Sequence, residues 1–296
     1  MKRYYFLMMA VLSLLIVSCN NDSEITENNT DGKARVRVHV SDFSMSLEDF
    51  PVGRAAQDVA DYTGVKAMTL AFYAGDTEVY KATQLRTDAS TYTTFGEFSC
   101  DLPIGTYTMV VIARGHQDGD VFELTSPTLA AYTSDRARET FCTTQSVTVT
   151  NTAPLDLTVT LNRIIAVLQT LSTDAPSEGV ALMRTTYSKG SKSFNPVTGL
   201  ATDDNGFMHT NTIYTNSDGH LSNKSYLFLT SDQETIDVTI EALDALGNVV
   251  FSKTLKDVPF QRNKITKATG AIFTTDTSGV GFQVNTDWLP ETVVNI

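Results

Sequence analysis

Apolar residues recur at every second position in one segment after another of this chain, and that period of two commits it to strands. Residues 34–56 set the pattern. Ala34, Val36, Val38 and Val40 fall on one face and Arg35, Arg37 and His39 on the other, as in a half-buried β-strand. A loop ending in Phe50-Pro51-Val52-Gly53-Arg54 follows, where Pro51 and Gly53 oppose regular structure. Residues 65–73 then open a second strand. An arginine in such a loop is ordinarily a solvated charge. Cleavage after Arg54 would nonetheless let the first strand leave and open an apolar groove.

The alternation continues along the chain. Met68, Leu70 and Phe72 run into the turn Ala74-Gly75-Asp76, and Glu78 to Ala82 return as a hairpin. Phe98, Cys100 and Leu102 alternate into Pro103-Ile104-Gly105, and Tyr107, Met109, Val111 and Ala113 alternate out again. Residues 125–139 lack alternation and read as either a loop or a short helix. Residues 140–150 give a further strand. Asn151-Thr152-Ala153-Pro154 marks a boundary within several residues, after which Leu155, Leu157, Val159 and Leu161 alternate. The unbroken apolar run 164–168 suggests burial on both sides. Residues 180–187, 225–230, 236–242, 249–255, 263–273 and 281–284 carry the remaining strand patterns, separated by a long Asn/Gly/Ser/Thr-rich region over 188–223 and a hairpin turn at 245–248. No stretch reads as a long amphipathic helix. The expected class is all-β, with β-sandwich domains over residues 34–157 and 158–296.

The ends carry other information. Lys2 and Arg3 precede an apolar run over residues 4–17, too short for a stable span but suited to a secretory signal over residues 1–18. Ile16-Val17-Ser18-Cys19 has the form of a bacterial lipobox, which implies cleavage before Cys19 and its acylation; an ordinary secreted protein with a chance cysteine is the alternative. Residues 19–33 are polar and acidic and form a tether. With Cys19 set aside, Cys100 and Cys142 remain, either oxidised after export or buried as free thiols.

Chemistry-bearing patterns are sparse. A formal charge of −12 disfavours nucleic acid and anionic lipid as partners. His39, His116, His209 and His220 have no paired spacing and read as surface or loop residues. H-E-x-x-H, G-x-S-x-G and the phosphate-binding G-x-x-x-x-G-K-[ST] do not occur, and neither does a cofactor motif. Asp203-Asp204-Asn205-Gly206 has the look of a calcium loop, yet Ala201 stands at the first ligand position and no Glu closes it, so it reads as a turn. No metal, cofactor or catalytic residue is expected.

The lipobox, tether, opening strand and Arg-bearing loop, followed by V-K-A-M-T-L-A-F-Y-A-G-D-T-E-V, resemble the fimbrillins of Bacteroidales, the type V pilus subunits. Leu161-Asn162-Arg163-Ile164-Ile165-Ala166, Gly247-Asn248-Val249-Val250, residues 258–266, Gly270 and Trp288 extend the resemblance over nearly the whole chain, closest to the FimB/Mfa2-like branch of minor and anchor subunits. The resemblance implies two tandem transthyretin-like β-sandwiches, a surface-exposed outer-membrane lipoprotein acylated at Cys19, and cleavage at Arg54. It further implies joining to other fimbrial subunits by β-strand addition, with residues 280–296 as donor and Phe282, Val284 and Trp288 as its plugs. A role in adhesion, toward a host or bacterial surface ligand, goes with it. The competing reading is a surface glycan-binding lipoprotein of a polysaccharide-uptake system, which would share the lipobox, tether and sandwiches.

Overall fold

The computed structural model describes residues 32–44, 57–59, 62–217, 219–273 and 281–285. The regular elements are β1 (Lys33–Ser44), β2 (Gln57–Asp58), β3 (Ala67–Ala74), β4 (Thr77–Leu85), β5 (Glu97–Pro103), β6 (Gly105–Arg114), β7 (Phe122–Ser126), β8 (Leu129–Tyr132), β9 (Thr140–Val149) and β10 (Leu155–Arg163). They continue with β11 (Ala166–Ser172), β12 (Val180–Tyr187), β13 (Ser193–Asn195), β14 (Leu200–Ala201), β15 (Phe207–Thr212), β16 (Ser222–Leu227), β17 (Gln233–Asp244), β18 (Val249–Gln261), β19 (Ile265–Gly270) and β20 (Gly281–Asn285). Among the described residues one 3-10 turn at Ala89–Thr91 is the only helical element, so the chain is all-β.

The largest sheet runs β2-β1-β10-β9-β6-β3-β4, with β5 on the same edge of β1 as β2, beside residues 33–39. It folds back on itself. Strand β10 meets β9 only at Asn162↔Cys142 and Arg163↔Phe141, and this corner lets β5-β1-β10 face β9-β6-β3-β4 across one core. Val36 and Val38 of β1, Phe98 and Leu102 of β5, Leu70 and Phe72 of β3, and Met109 and Val111 of β6 meet there. The hairpin at Gly75 forms as its pattern predicts, with a positive φ of 61° that suits glycine.

Two four-stranded sheets, β16-β11-β19-β20 and β15-β12-β17-β18, enclose a second core containing Leu168, Tyr187, Ile236, Val238 and Phe260. The change from the first sheet to these falls at Ile164 and Ile165, because β10 runs through the expected division at residue 157 and keeps its place beside β1. In this part Gly206 has φ +66°, and a Cβ there would stand 2.2 Å from the Tyr187 carbonyl oxygen, so only glycine fits.

Residues 125–139 depart from expectation in part. Residues 133–139 are loop as one of the two readings had it, but β7 and β8 form a hairpin before them, and β8 pairs with β13 of the later chain through Ser193↔Ala131 and Phe194↔Ala130. The resulting sheet β14-β13-β8-β7 lies over the outer face of β3 and β6, where Tyr73, Ile112, Tyr132, Phe194 and Phe228 make a third core. The hairpin is short and buries apolar residues from two directions, which hides its period.

Candidate functional site: the seat of the first strand

Strand β1 is hydrogen-bonded along both edges. It runs antiparallel to β5 from Lys33↔Pro103 to His39↔Glu97 and parallel to β10 from Val36↔Leu155 to Ser44↔Asn162. Its partners lie far along the chain, so local sequence does not announce them. Ala34, Val36, Val38 and Val40 point into the core as alternation predicts. A register shift between Val40 and Asp42 then changes the parity, which turns Phe43 inward instead of Asp42. Phe43 packs tilted on Phe141, centroids 4.7 Å apart, and edge-on to Tyr62 at 5.7 Å.

The outer face of β1 is a row of ion pairs. Arg35 donates to Asp101 at 2.6 Å and Arg37 to Asp156 at 3.3 Å, while His39 Nδ1 lies 3.4 Å from Glu97. All are well exposed, so each pair stabilises by at most about 1 kcal/mol. The apolar inner face dominates, since a fully buried Val or Phe contributes about 1.5–3 kcal/mol. A cleft of about 520 Å³, bordered by Val38, Tyr80, Phe98 and Leu157, opens beside this seat between β4 and the strands flanking β1.

Beneath Phe43 lies a polar cluster built on one buried arginine. The Arg163 guanidinium, with no solvent exposure, stands 2.8 Å from Glu139 and 4.8 Å above the Phe141 ring. Arg163 also donates to the Tyr62 hydroxyl and to Asn263 Oδ1, and Tyr62 donates to Glu139 at 2.7 Å. Burial, followed by the Glu139 charge, pushes the Tyr62 hydroxyl pKa up. Arg163 and Asn263 thereby tie the last residue of β10 to the turn before β19.

Other expected positions are less concentrated. Cys100 and Cys142 are both free and buried, on the inner and outer sides of the first sheet, and burial pushes each thiol up to about 12. Phe282 pairs with Ala268 and Val284 with Thr266, placing β20 antiparallel to β19 at a sheet edge. Cys19, Arg54 and Trp288 lie outside the described residues. Asp203 accepts hydrogen bonds from the Ser191 and Ser193 hydroxyls and Asp204 from the Gly190 amide, so both carboxylates are engaged by the segment 190–193.

His209 corrects the expectation of surface histidines. It is 3 % exposed and stacks with Tyr187 and Phe207. Burial, then the Arg136 charge, lowers its pKa from 6.5 to about 4, with Arg138 and Lys192 acting the same way and Asp135 opposing. The unfolded imidazole takes a proton that the folded one refuses. Stability is therefore full above about pH 6.5 and falls as pH drops toward 4, by up to about 3 kcal/mol. Urea unfolding against pH should show this slope, and His209→Gln should flatten it; an unchanged slope in the variant would assign it to other groups.

The chain matches a family model described as a family of unknown function (DUF6562) over residues 32–293. No curated protein matches the sequence. Solved structures with a similar fold include a candidate adhesin from Bacteroides ovatus, at TM-score 0.50 and 10 % identity, covering 86 % of this chain and 97 % of that one. The fimbrial anchor protein Mfa2 from Porphyromonas gingivalis aligns at TM-score 0.49 and 9 % identity over 80 % and 90 % of the two chains. A candidate cell adhesion protein from Bacteroides eggerthii aligns at 0.48 and 11 % over 86 % and 95 %.

Proposed function

Because the chain belongs to the family of unknown function DUF6562, whose activity is open, we propose from its own geometry that it is a structural subunit or anchor of a cell-surface fimbria with a role in adhesion. One observation carries this reading: the first strand among the described residues is an interior strand, paired on both edges and apolar on its inner face. The residues that read as leader, lipobox and tether precede it, and the segment carrying Arg54 follows it. Acylation of Cys19 would hold the chain at the outer membrane. Cleavage after Arg54 would free β1, leaving the facing edges of β5 and β10 unpaired over an apolar floor. Unpaired edges of this kind are strongly driven to accept a replacement strand. A donor that restores both ladders must run antiparallel to β5 and parallel to β10.

The donor proposed is residues 280–296 of a neighbouring copy or subunit, with Phe282, Val284 and Trp288 as plugs. Its described part, β20, pairs with its own β19 on one edge, and donation in trans requires giving up that ladder. A lipid-retaining anchor would keep β1 and supply only its C-terminal strand.

Limited trypsin digestion of the lipid-free chain, read by intact mass and native gel, tests this. Cleavage at Arg54 with loss of β1 and a ladder of oligomers is the expected result for a stalk subunit. Resistance at Arg54 leaves the anchor role. A cut chain that sheds β1 and stays monomeric removes strand exchange altogether.

A further inference from the structure

Arg114 ends β6 on the outer face of the first sheet, only 6 % exposed, beneath the β7–β8 hairpin. Among the described residues no carboxylate lies within ion-pair distance of it; Asp120, whose charge it feels, is engaged by Arg138 at 2.8 Å. Its Nη1 donates to His116 Nδ1 at 3.3 Å, its Nε has no hydrogen-bond partner, and its guanidinium sits 4.6 Å over the Phe122 ring. Among the described residues the other buried arginine, Arg163, has a carboxylate partner in Glu139. A buried cation without a counter-charge is expensive, and the surroundings of Arg114 reveal where one would go.

The guanidinium lines a slot of about 510 Å³ between the hairpin and the sheet. Its floor carries Thr69 and Thr83, whose hydroxyls are 2.9 Å apart, and Lys81, which donates to Glu78 and to the Leu124 carbonyl. Glu123 and Thr125 of β7 form the opposite wall and are exposed. Arg114, without a carboxylate of its own, and Lys81, which Glu78 already pairs, thus meet Glu123 and several hydroxyls in a space large enough for a single sugar unit. We infer that this slot binds an acidic saccharide, a uronic acid unit whose carboxylate is the missing counterion of Arg114. The threonine hydroxyls exchange hydrogen bonds with the ring hydroxyls of the sugar, Glu123 accepts them, and Lys81, shared with Glu78, is a further donor on the floor. The hydroxyl partners set the preference for a sugar acid over a bare carboxylate, since a small anion leaves them to water. The slot uses the outer face of the sheet and not the seat of β1, so the inference stands apart from strand exchange.

Saturation-transfer NMR and calorimetry on the whole lipid-free chain, with glucuronate, galacturonate, glucose and acetate as probes, test it. Millimolar binding of a uronate is expected, with glucose and acetate weaker by about tenfold or more. Arg114→Gln should lower uronate affinity by at least about tenfold. Because that change also disturbs packing on Phe122, Thr83→Trp serves as a second variant that fills the slot and leaves Arg114 untouched; it too should abolish binding. Absence of uronate binding at tens of millimolar, acetate binding as tightly as uronate, or unchanged affinity in Thr83→Trp would overturn the inference.

Discussion

Val38→Asp is expected to unfold the N-terminal half of the chain, with a loss of about 4 kcal/mol or more in urea unfolding. Val38 is 1 % exposed at the middle of β1, opposite Phe98 on β5 and Leu157 on β10. The change removes a buried side chain that contributes about 1.5–3 kcal/mol and puts a carboxylate with no partner in its place. The residue beside it provides the control. Arg37 is exposed and pairs with Asp156 at 3.3 Å, so Arg37→Ala should cost less than about 1 kcal/mol. Equal stability of the Val38→Asp and parent chains would mean that the core does not rest on β1, and the proposed role of this strand would fall with it.

A second large effect is expected at Arg163. Arg163→Ala should destabilise by about 3–5 kcal/mol, because Glu139, largely covered, would remain without its cation. The cost includes the hydrogen bonds to Tyr62 and Asn263 and the contact with the Phe141 ring. Glu139→Gln alone should also destabilise, by leaving the guanidinium short of a counter-charge. The two changes combined, as Arg163→Ala with Glu139→Gln, should cost clearly less than the sum of the singles, since neither charge is then stranded. A double-mutant cycle in urea gives the coupling directly. Additive costs would show that Arg163 acts through packing on Phe141 and not through Glu139.

The two sites touch. Phe43, the last inward side chain of β1, lies against Tyr62 and Phe141, which cover the Arg163–Glu139 pair. Loss of β1 would therefore thin the cover over this ion pair as well as empty the apolar seat. A replacement strand needs a bulky residue at the Phe43 position to restore both.

What the sequence determined by itself is the part governed by local period. Alternation identified the inner face of β1 from Ala34 to Val40, the hairpin at Gly75 and the inward row Phe98, Cys100 and Leu102, because a strand places successive side chains on opposite faces whatever it pairs with. The run 164–168 marked a segment buried on all sides for the same reason. Tertiary structure alone decided the partners. Nothing near β1 says that its neighbours are β5 and a parallel β10, or that β8 pairs with β13, since these choices depend on how whole faces pack. The shift after Val40 reversed the parity that places Phe43, which no period of two can foresee. His209, Arg114 and the Arg163–Glu139 pair are buried charges or potential charges, and a residue type usually found in water does not reveal that distant strands will cover it.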